Sequence, residues 1–215
     1  MNTTAILGSG RVAAVLADKL AEAGRTVLVG TRNPAEAPAN WTGRPVEFAE
    51  PEQAVRRAAV VINATPGDSS VRRLEALRDA LRDKVLVDVS NATLRGPDGM
   101  PAGLVYPGSS LAEHLQQALP GTHVVKALNT MFFTVMANPR ALSSPPTAFV
   151  SGNDPAAKAV VRGLLADLGW PPAWIEDLGD ITTARGTEAL VLLVPSILRN
   201  RGRKPFALSI VDGGR

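Results

Sequence analysis

A short stretch near the start of the chain contains residue types that can hold a phosphate. In "AILGSGRVAAVLADKLAEAG", Gly8-x-Gly10-x-x-Ala13 lies between an apolar run and an amphipathic pattern. Gly8 permits a tight turn, Gly10 lets the backbone approach a pyrophosphate, and Ala13 lets the helix pack on the strand. The unpaired N–H groups at the start of such a helix attract anions. This context favours a dinucleotide-binding turn, and a turn with a packing role alone is the alternative.

The second stretch, "LVGTRNP", ends a predicted strand with Thr31 and Arg32. The side chain at this position faces the adenosine ribose, where an acid accepts from the 2′-OH of NAD and repels the 2′-phosphate of NADP. Arg32 can instead pair with a phosphate dianion, and Thr31 can donate its hydroxyl. The pair therefore predicts NADP(H) over NAD(H), and Arg11 is expected to approach the same phosphate or its neighbour. A solvated loop arginine is the alternative for Arg32.

Three further predicted strands also end in small or polar residues. These are Ala64, Thr65 and Pro66 after one strand, Asp88, Ser90 and Asn91 after the next, and Lys126, Asn129 and Thr130 after a third. Open α/β sheets bind ligands at the carboxyl ends of their strands, so we expect these residues to converge near the nicotinamide. A helix cap or turn is the alternative for Asp88 and Asn91. Lys126 is either a structural partner of Asp88, an acid or a carboxylate anchor.

Alternating strand and helix patterns predict an α/β fold, a Rossmann-type doubly wound parallel sheet with a small C-terminal helical part. An NADP-binding domain is predicted over residues 1–150, and residues 151–215 complete the sheet and the acceptor or dimer site. "TARGTEALVLLVPSILRN" predicts an apolar helix, bent or broken near Pro195 and buried in a core or against a second subunit. "PFALSIV" predicts a closing strand. The predicted strands are Thr4–Leu7, Thr26–Val29, Val60–Asn63, Val85–Val89, Val124–Leu128 and Thr147–Ser151, and the predicted helices include Val12–Ala23, Glu52–Ala58, Ser69–Leu81 and Leu111–Ala118.

The composition argues against several classes of function. The chain has no cysteine and only two histidines, which excludes thiol chemistry and disfavours a metal site. Aromatic residues make up 4% and the net charge is +3, so we expect no nucleic-acid partner. No signal peptide is visible, and the apolar run "ALVLLVPSIL" is too short to span a bilayer, so we expect a cytoplasmic protein without membrane contact.

Taken together and in order, the motifs resemble a known family. They are "LGSGRVAAVLADKLAEAGRTVLVGTRNP", "INATPGDSS", "LVDVSNA", "LPGTHVVKALNTM", "VSGNDPAAKAVVRGLLADLGW" and "DITTARGTEAL". The chain resembles the NADP oxidoreductases that depend on the deazaflavin coenzyme F-420, and the oxidoreductase domain of the STEAP metalloreductases is similar. The resemblance covers nearly the whole chain.

The resemblance implies a homodimer and an NADP 2′-phosphate held by Thr31-Arg32. It implies further cofactor-binding positions at Ser9, Gly10, Arg11, Val12, Ala64, Thr65, Asn91, Ala127 and Asn129. It also implies a deazaflavin-contacting stretch at Phe206, Ala207 and Leu208. One departure is that archaeal members carry a lysine shortly after the arginine, whereas "NPAEA" offers none.

The predicted function is hydride transfer between NADPH and a small-molecule acceptor, either coenzyme F-420 or a flavin. Because the chemistry belongs to the cofactors, no acid–base pair is required and no catalytic side chain is assigned. The basic cluster "RNRGRK" either holds an acceptor phosphate or is a solvated helix end. Two alternatives are a non-catalytic NADPH-sensing protein and a reductase of a small imine or carbonyl compound. The second needs a proton donor, for which Lys126, Thr130 and Tyr106 are the candidates.

Overall fold

Ten strands and ten α-helices are present in residues 3–213, the part of the chain that the computed structural model describes. The strands are β1 Thr3–Leu7, β2 Thr26–Gly30, β3 Glu47–Ala49, β4 Val60–Asn63, β5 Val85–Asp88, β6 Thr93–Arg95, β7 Pro101–Leu104, β8 His123–Ala127, β9 Ala148–Gly152 and β10 Ile175–Gly179. The helices are α1 Arg11–Glu22, α2 Ala37–Asn40, α3 Pro51–Arg56, α4 Ser70–Glu75, α5 Arg78–Leu81, α6 Leu111–Ala118, α7 Phe133–Met136, α8 Pro155–Asp167, α9 Ala184–Ala189 and α10 Val194–Arg201.

Eight strands form one sheet in the order β10-β9-β8-β5-β4-β1-β2-β3. The six strands from β8 to β3 in this order are parallel. The order reverses between β1 and β4, so a crevice opens at the carboxyl ends of these two strands. This architecture is the predicted Rossmann-type α/β fold.

The central strands are buried on both faces, as their continuous apolar runs predict. One set of buried side chains packs α1 and α8 against the sheet, and a second set packs α3, α4 and α6 against its other face. Helix α1 contributes the inward-facing residues Ala13, Leu16, Ala17 and Leu20, spaced three or four apart. Ala13 is fully buried, which fits the close helix–strand packing expected of the glycine motif.

The edge beyond β8 differs from the predicted all-parallel sheet. Strand β9 pairs antiparallel with β8, and β10 then pairs parallel with β9. A parallel neighbour needs a crossover connection, usually through a full helix. Between β8 and β9 the chain forms only the four-residue helix α7 and a 3₁₀ turn at Pro139–Ala141, so β9 returns in the opposite direction.

Several elements differ from the predicted ones because their sequence signals are short. The edge strand β3 and the antiparallel pair β6–β7 were not predicted. The helix predicted over Ser69–Leu81 is divided into α4 and α5. The strand predicted for "PFALSIV" is wrong, because only Ala207 makes an isolated bridge, to Met131. The division at residue 150 and the homodimer stay predictions.

The predicted apolar helix after Thr183 has a different form and burial. It comprises α9, a 3₁₀ segment at Leu190–Leu193 and α10, so the irregular turn precedes Pro195, which lies in the first turn of α10. Among the described residues, the stretch Ile181–Arg201 is long and apolar enough to cross a membrane by length and composition. The apolar run "ALVLLVPSIL" is part of this longer stretch, so the length of the run by itself does not exclude a membrane span. Core helices pass the same test, but only 22% of this apolar window is buried within the chain.

Candidate functional site

The glycine turn lies at the crevice between β1 and β4. Gly8 has a φ of +108°, and its N–H donates to the carbonyl of Gly30 at the end of β2. A Cβ at Gly8 would lie 2.8 Å from the carbonyl oxygen of Ala64, so the position requires glycine. A Cβ at Gly10 would meet no protein atom within 4 Å. The space above Gly10 is therefore open for a ligand.

Helix α1 begins at this open space without a side-chain cap. Gly10 is its N-cap residue, and its first turn contains no acidic residue. The first backbone N–H groups of a helix need acceptors, and their partial positive charge attracts anions. A pyrophosphate would supply those acceptors, so the turn fits the group that the sequence predicts.

Thr31 and Arg32 lie at the same crevice. Together with Gly8, Ser9, Thr65 and Pro66 they line a cavity of about 360 Å³, within the range of small-molecule sites. Among the hydrogen bonds and ion pairs of the described residues, none engages the Arg32 guanidinium. Its five N–H donors are therefore free to bind a phosphate.

Sequence reasoning missed other residues of this cavity. Pro51, Leu74 and Leu77 give it apolar walls, and Arg73 adds a second guanidinium, which donates to Ser69 Oγ at 3.0 Å. Leu74 and Leu77 follow "PGDSS" at helical spacing, which is the signal that would have found this part of the wall. These surroundings suit a flat, uncharged ring beside a ribose phosphate.

An acidic residue lies on the outer side of Arg32. Glu36 lines a shallow cavity with Ser9, Thr31 and Arg32, and its carboxylate accepts from Asn33 Nδ2 at 3.2 Å. This is the segment that lacks the lysine of the archaeal relatives. A carboxylate here weakens the attraction for a phosphate dianion, so Arg32 carries more of the predicted selectivity.

Several of the predicted cofactor residues line neither of the two cavities. The Arg11 guanidinium lies over the Phe133 ring, 5.1 Å from its centroid, and lines neither cavity at Arg32. Its expected approach to the 2′-phosphate or a neighbouring phosphate stays a prediction. Val12 and Ala64 pack against the core, and Ala127 is fully buried. These three residues can contact a cofactor only through the backbone or, for Val12 and Ala64, through the exposed part of the side chain.

A second cavity, of about 120 Å³, lies where β5 and β8 end. The side chains of Asn91 and Asn129 meet there: Asn129 Nδ2 donates to Asn91 Oδ1, and Asn91 Nδ2 donates to the backbone oxygen of Asn129, both at 2.9 Å. The structure thus brings together two of the predicted strand-end residues. Their paired amides present polar edges to an otherwise mostly apolar space.

The remaining walls of this cavity come from the C-terminal part of the chain. The predicted acceptor residues Phe206 and Leu208 line it, while Ala207 bridges to Met131. Backbone bonds hold the segment: Phe132 N donates to Phe206 O at 2.8 Å. Sequence reasoning missed the helical wall formed by Leu190, Val191, Leu193, Val194 and Ile197.

Lys126 belongs to a buried ion cluster directly behind the second cavity. Its Nζ lies 2.7 Å from Asp88 Oδ2 and 2.8 Å from Glu188 Oε1, with all three side chains at most 5% exposed. Burial alone would lower the pKa of Lys126, but attraction and hydrogen bonding from Asp88 and Glu188 outweigh it and raise that pKa. Lys126 is therefore charged at neutral pH. Of the three alternatives for Lys126, the structure shows the pairing with Asp88, and Glu188 was missed.

The candidate proton donors differ in their access to the second cavity. Thr130 lines it. Tyr106 stacks on His114 with ring centroids 3.9 Å apart and is not among the lining residues. Lys126 is engaged by two carboxylates and is 1% exposed. Only Thr130 of the three is placed to meet a ligand there.

Gly67 packs closely against the backbone of Asn91. A Cβ at Gly67 would overlap the carbonyl of Asn91 and lie 2.7 Å from Ala92 N. Gly67→Ala is therefore expected to lower the free energy of unfolding by about 1–3 kcal/mol. Urea unfolding measures this. Gly163→Ala in α8, where a Cβ has open space, is the control and is expected to stabilise slightly. Equal midpoints for the two variants would contradict the close packing.

The site lies on the carboxyl edge of a Rossmann-type sheet, with a glycine turn after β1 and a free guanidinium after β2. These features define a class, the NADP-dependent oxidoreductases. A family model described as NADP oxidoreductase coenzyme F420-dependent matches residues 3–92. A candidate F420-dependent NADP reductase from Arthrobacter sp. FB24 is 37% identical, with a TM-score of 0.87 over 97% of this chain and 99% of that one. The chain belongs to this family of F420-dependent NADP oxidoreductases.

Two curated relatives extend the comparison. Metalloreductase STEAP3 of Rattus norvegicus is 32% identical over 193 residues, which are 89% of this chain and 37% of that protein. The F420-dependent NADP reductase of Methanocaldococcus jannaschii is 27% identical over 148 residues, which are 67% of this chain and 64% of that protein. The chain therefore spans about a third of the metalloreductase and less than two thirds of the archaeal reductase.

Proposed function

We propose that the protein binds NADPH across the carboxyl edge of its sheet and transfers hydride to a planar acceptor, a deazaflavin of the F420 type or a flavin. The observation that carries this proposal is the placement of Thr31 and the free Arg32 guanidinium in the cavity of the glycine turn. That pairing favours the phosphorylated dinucleotide. The names of the relatives in the family support the same cofactor and acceptor.

Bound NADPH would supply a hydride, which is two electrons and one proton, and water would supply the further proton that the reduced acceptor needs. The protein contributes position and exclusion of solvent. Uncapped N–H groups of α1 and the glycine turn hold the pyrophosphate. Asn91 and Asn129 hold each other and present amide edges beside the second cavity. The apolar helical wall removes water from the acceptor side.

The second cavity favours a flat, mostly apolar acceptor. Apart from the two amides and Thr130, its lining is apolar, and none of the lining residues is charged. Its volume is about a third of that of the first cavity, so part of an acceptor ring would extend beyond it. The chain leaves this cavity at Ile197 and returns at Phe206, which places the basic cluster "RNRGRK" along the way.

A panel of acceptors assayed with NADPH tests the proposal. We expect NADPH oxidation with coenzyme F420 or with FMN, and no oxidation with small imines or ketones. Riboflavin serves as the control for FMN because it lacks the phosphate that the basic cluster would attract. NADPH binding without turnover on any acceptor would favour a sensing protein. Turnover with an imine, lost in Thr130→Val, would favour the imine or carbonyl reductase.

A further inference from the structure

The buried ion cluster of Lys126, Asp88 and Glu188 joins two parts of the site that are far apart in the sequence. Asp88 ends β5, Lys126 lies in β8, and Glu188 lies in α9. Lys126 Nζ lies within 2.8 Å of an oxygen from each of the other two. The cluster therefore links the carboxyl edge of the sheet directly to the C-terminal helical stretch.

On the sheet side, the cluster holds the backbone that carries the amide pair. Lys126 Nζ donates to the backbone carbonyl of Ser90, the residue before Asn91. Asp88 Oδ1 accepts from Ser90 Oγ at 2.7 Å and from Asn63 Nδ2 at 2.8 Å. The position of Asn91, and through it the position of the Asn91–Asn129 pair, depends on these bonds.

On the helix side, the cluster holds the wall of the second cavity. Glu188 is followed at once in the chain by the stretch that contains the wall residues Leu190 and Val191. Its two carboxylate oxygens also accept from Leu111 N at 2.8 Å and Ala112 N at 3.1 Å, at the start of α6. Glu188 is thus fixed on three sides, although the helical stretch that follows it is mostly exposed.

Stability alone gives little reason for this arrangement. Burying charges has a desolvation cost that their attraction barely offsets, and well-packed apolar residues of similar volume often stabilise as well or better. Directional bonds between fixed partners do provide something that apolar packing does not, namely a defined position. Here the partners fixed are the amide pair beside the nicotinamide and the wall that contacts the acceptor.

We propose that Lys126, Asp88 and Glu188 form a positioning joint that sets the acceptor wall at a defined distance from the nicotinamide side of the site. Glu188 is a positioning residue for the acceptor, because it acts through Leu190, Val191 and the amide pair. The kinetic part of this inference rests on the proposed hydride transfer. The coupling between the two walls does not, and it can be measured without turnover.

The test compares Glu188→Gln with Arg185→Ala in the full chain. Gln keeps the size of Glu188 and leaves the Lys126–Asp88 pair intact, so the variant is expected to fold. Arg185 also ties α9 to α6, through Glu113 at 2.6 and 2.8 Å, but its pair is solvent-exposed and makes no bond to the cluster. It is the matched control for a loosened α9.

Hydrogen exchange gives the first readout, without acceptor. We expect Glu188→Gln to speed exchange both at residues 190–197 and at residues 128–131, whereas Arg185→Ala speeds it only in and around α9. Steady-state kinetics give the second. With NADPH saturating, we expect Glu188→Gln to lower kcat/KM for the acceptor by about tenfold. Glu188→Gln should leave the Kd for NADPH unchanged. Arg185→Ala should change neither the Kd for NADPH nor the kcat/KM for the acceptor.

Two outcomes would overturn the inference. Exchange at residues 128–131 that is unaffected by Glu188→Gln would show that the two walls are not coupled. Equal losses in NADPH affinity and acceptor kcat/KM would show a general loss of structure and not positioning. Absence of turnover in the unmodified protein would instead count against the proposed function, and the exchange result would still decide whether the joint exists.

Discussion

Replacing Arg32 by alanine is expected to weaken NADPH binding by about 10- to 100-fold and to leave NADH binding nearly unchanged. A hydrogen bond to a charged group contributes about 1.5–3 kcal/mol, and each 1.4 kcal/mol is about tenfold in affinity. The loss is confined to NADPH because NADH has no 2′-phosphate. Titration of each dinucleotide, followed by fluorescence or calorimetry, measures the two dissociation constants. The difference between them should shrink as ionic strength rises.

The control for this experiment is Arg82→Ala. Arg82 lies outside both cavities, in a surface pair with Asp79 at 3.5 Å, and its loss changes the net charge by the same amount. It should alter neither dissociation constant. If Arg32→Ala weakened NADPH and NADH equally, Arg32 would be acting on a part common to both dinucleotides. The assignment of a 2′-phosphate site to the residues after β2 would then be wrong.

Replacing Lys126 by methionine is expected to lower the free energy of unfolding by about 3–5 kcal/mol. Methionine fills much of the same space but leaves the carboxylates of Asp88 and Glu188 buried without their cation. The remaining hydrogen bonds, from Ser90, Asn63 and the start of α6, do not neutralise two charges. Urea unfolding followed by circular dichroism measures the change. Lys19→Met, which removes an exposed pair with Glu22, should cost well under about 1 kcal/mol.

A loss no larger than that of Lys19→Met would contradict this explanation, because it would show that the carboxylates of Asp88 and Glu188 do not need their buried cation.

In the unmodified protein, Lys126 should lose its contribution to the free energy of unfolding only at high pH. The pKa of Lys126 is raised in the folded state, so its contribution is complete below the unfolded-state value and is lost as pH rises through the folded-state value. Lys126 is therefore charged at neutral pH.

The local sequence was sufficient to predict the glycine turn and the Thr31–Arg32 pair. Gly8, Gly10, Thr31 and Arg32 are all placed by short-range geometry, since each follows directly on a buried parallel strand. The strand ends necessarily meet at one edge of the sheet. The pairing of Asp88 with Lys126, one of three alternatives for Lys126, follows from the register of β5 and β8, in which these two residues are direct neighbours. None of these inferences needed the position of the C-terminal part.

The second cavity and the ion cluster depend on contacts that a linear pattern does not encode. No sequence pattern singles out Glu188, and only the folded chain places it against Lys126 and the start of α6. The aromatic partner of Arg11, Phe133, is likewise distant in sequence. The carboxylate of Glu36 beside Arg32 depends on the path of the loop after β2.

The sequence by itself determined the fold class, the glycine turn and the preference for a phosphorylated dinucleotide, because each rests on strand periodicity or on residues next to a strand end. The tertiary structure alone decided the antiparallel return of β9, the wall of the second cavity and the ion cluster that joins β5, β8 and α9. These depend on the direction in which long connections return, which is settled by packing between distant segments.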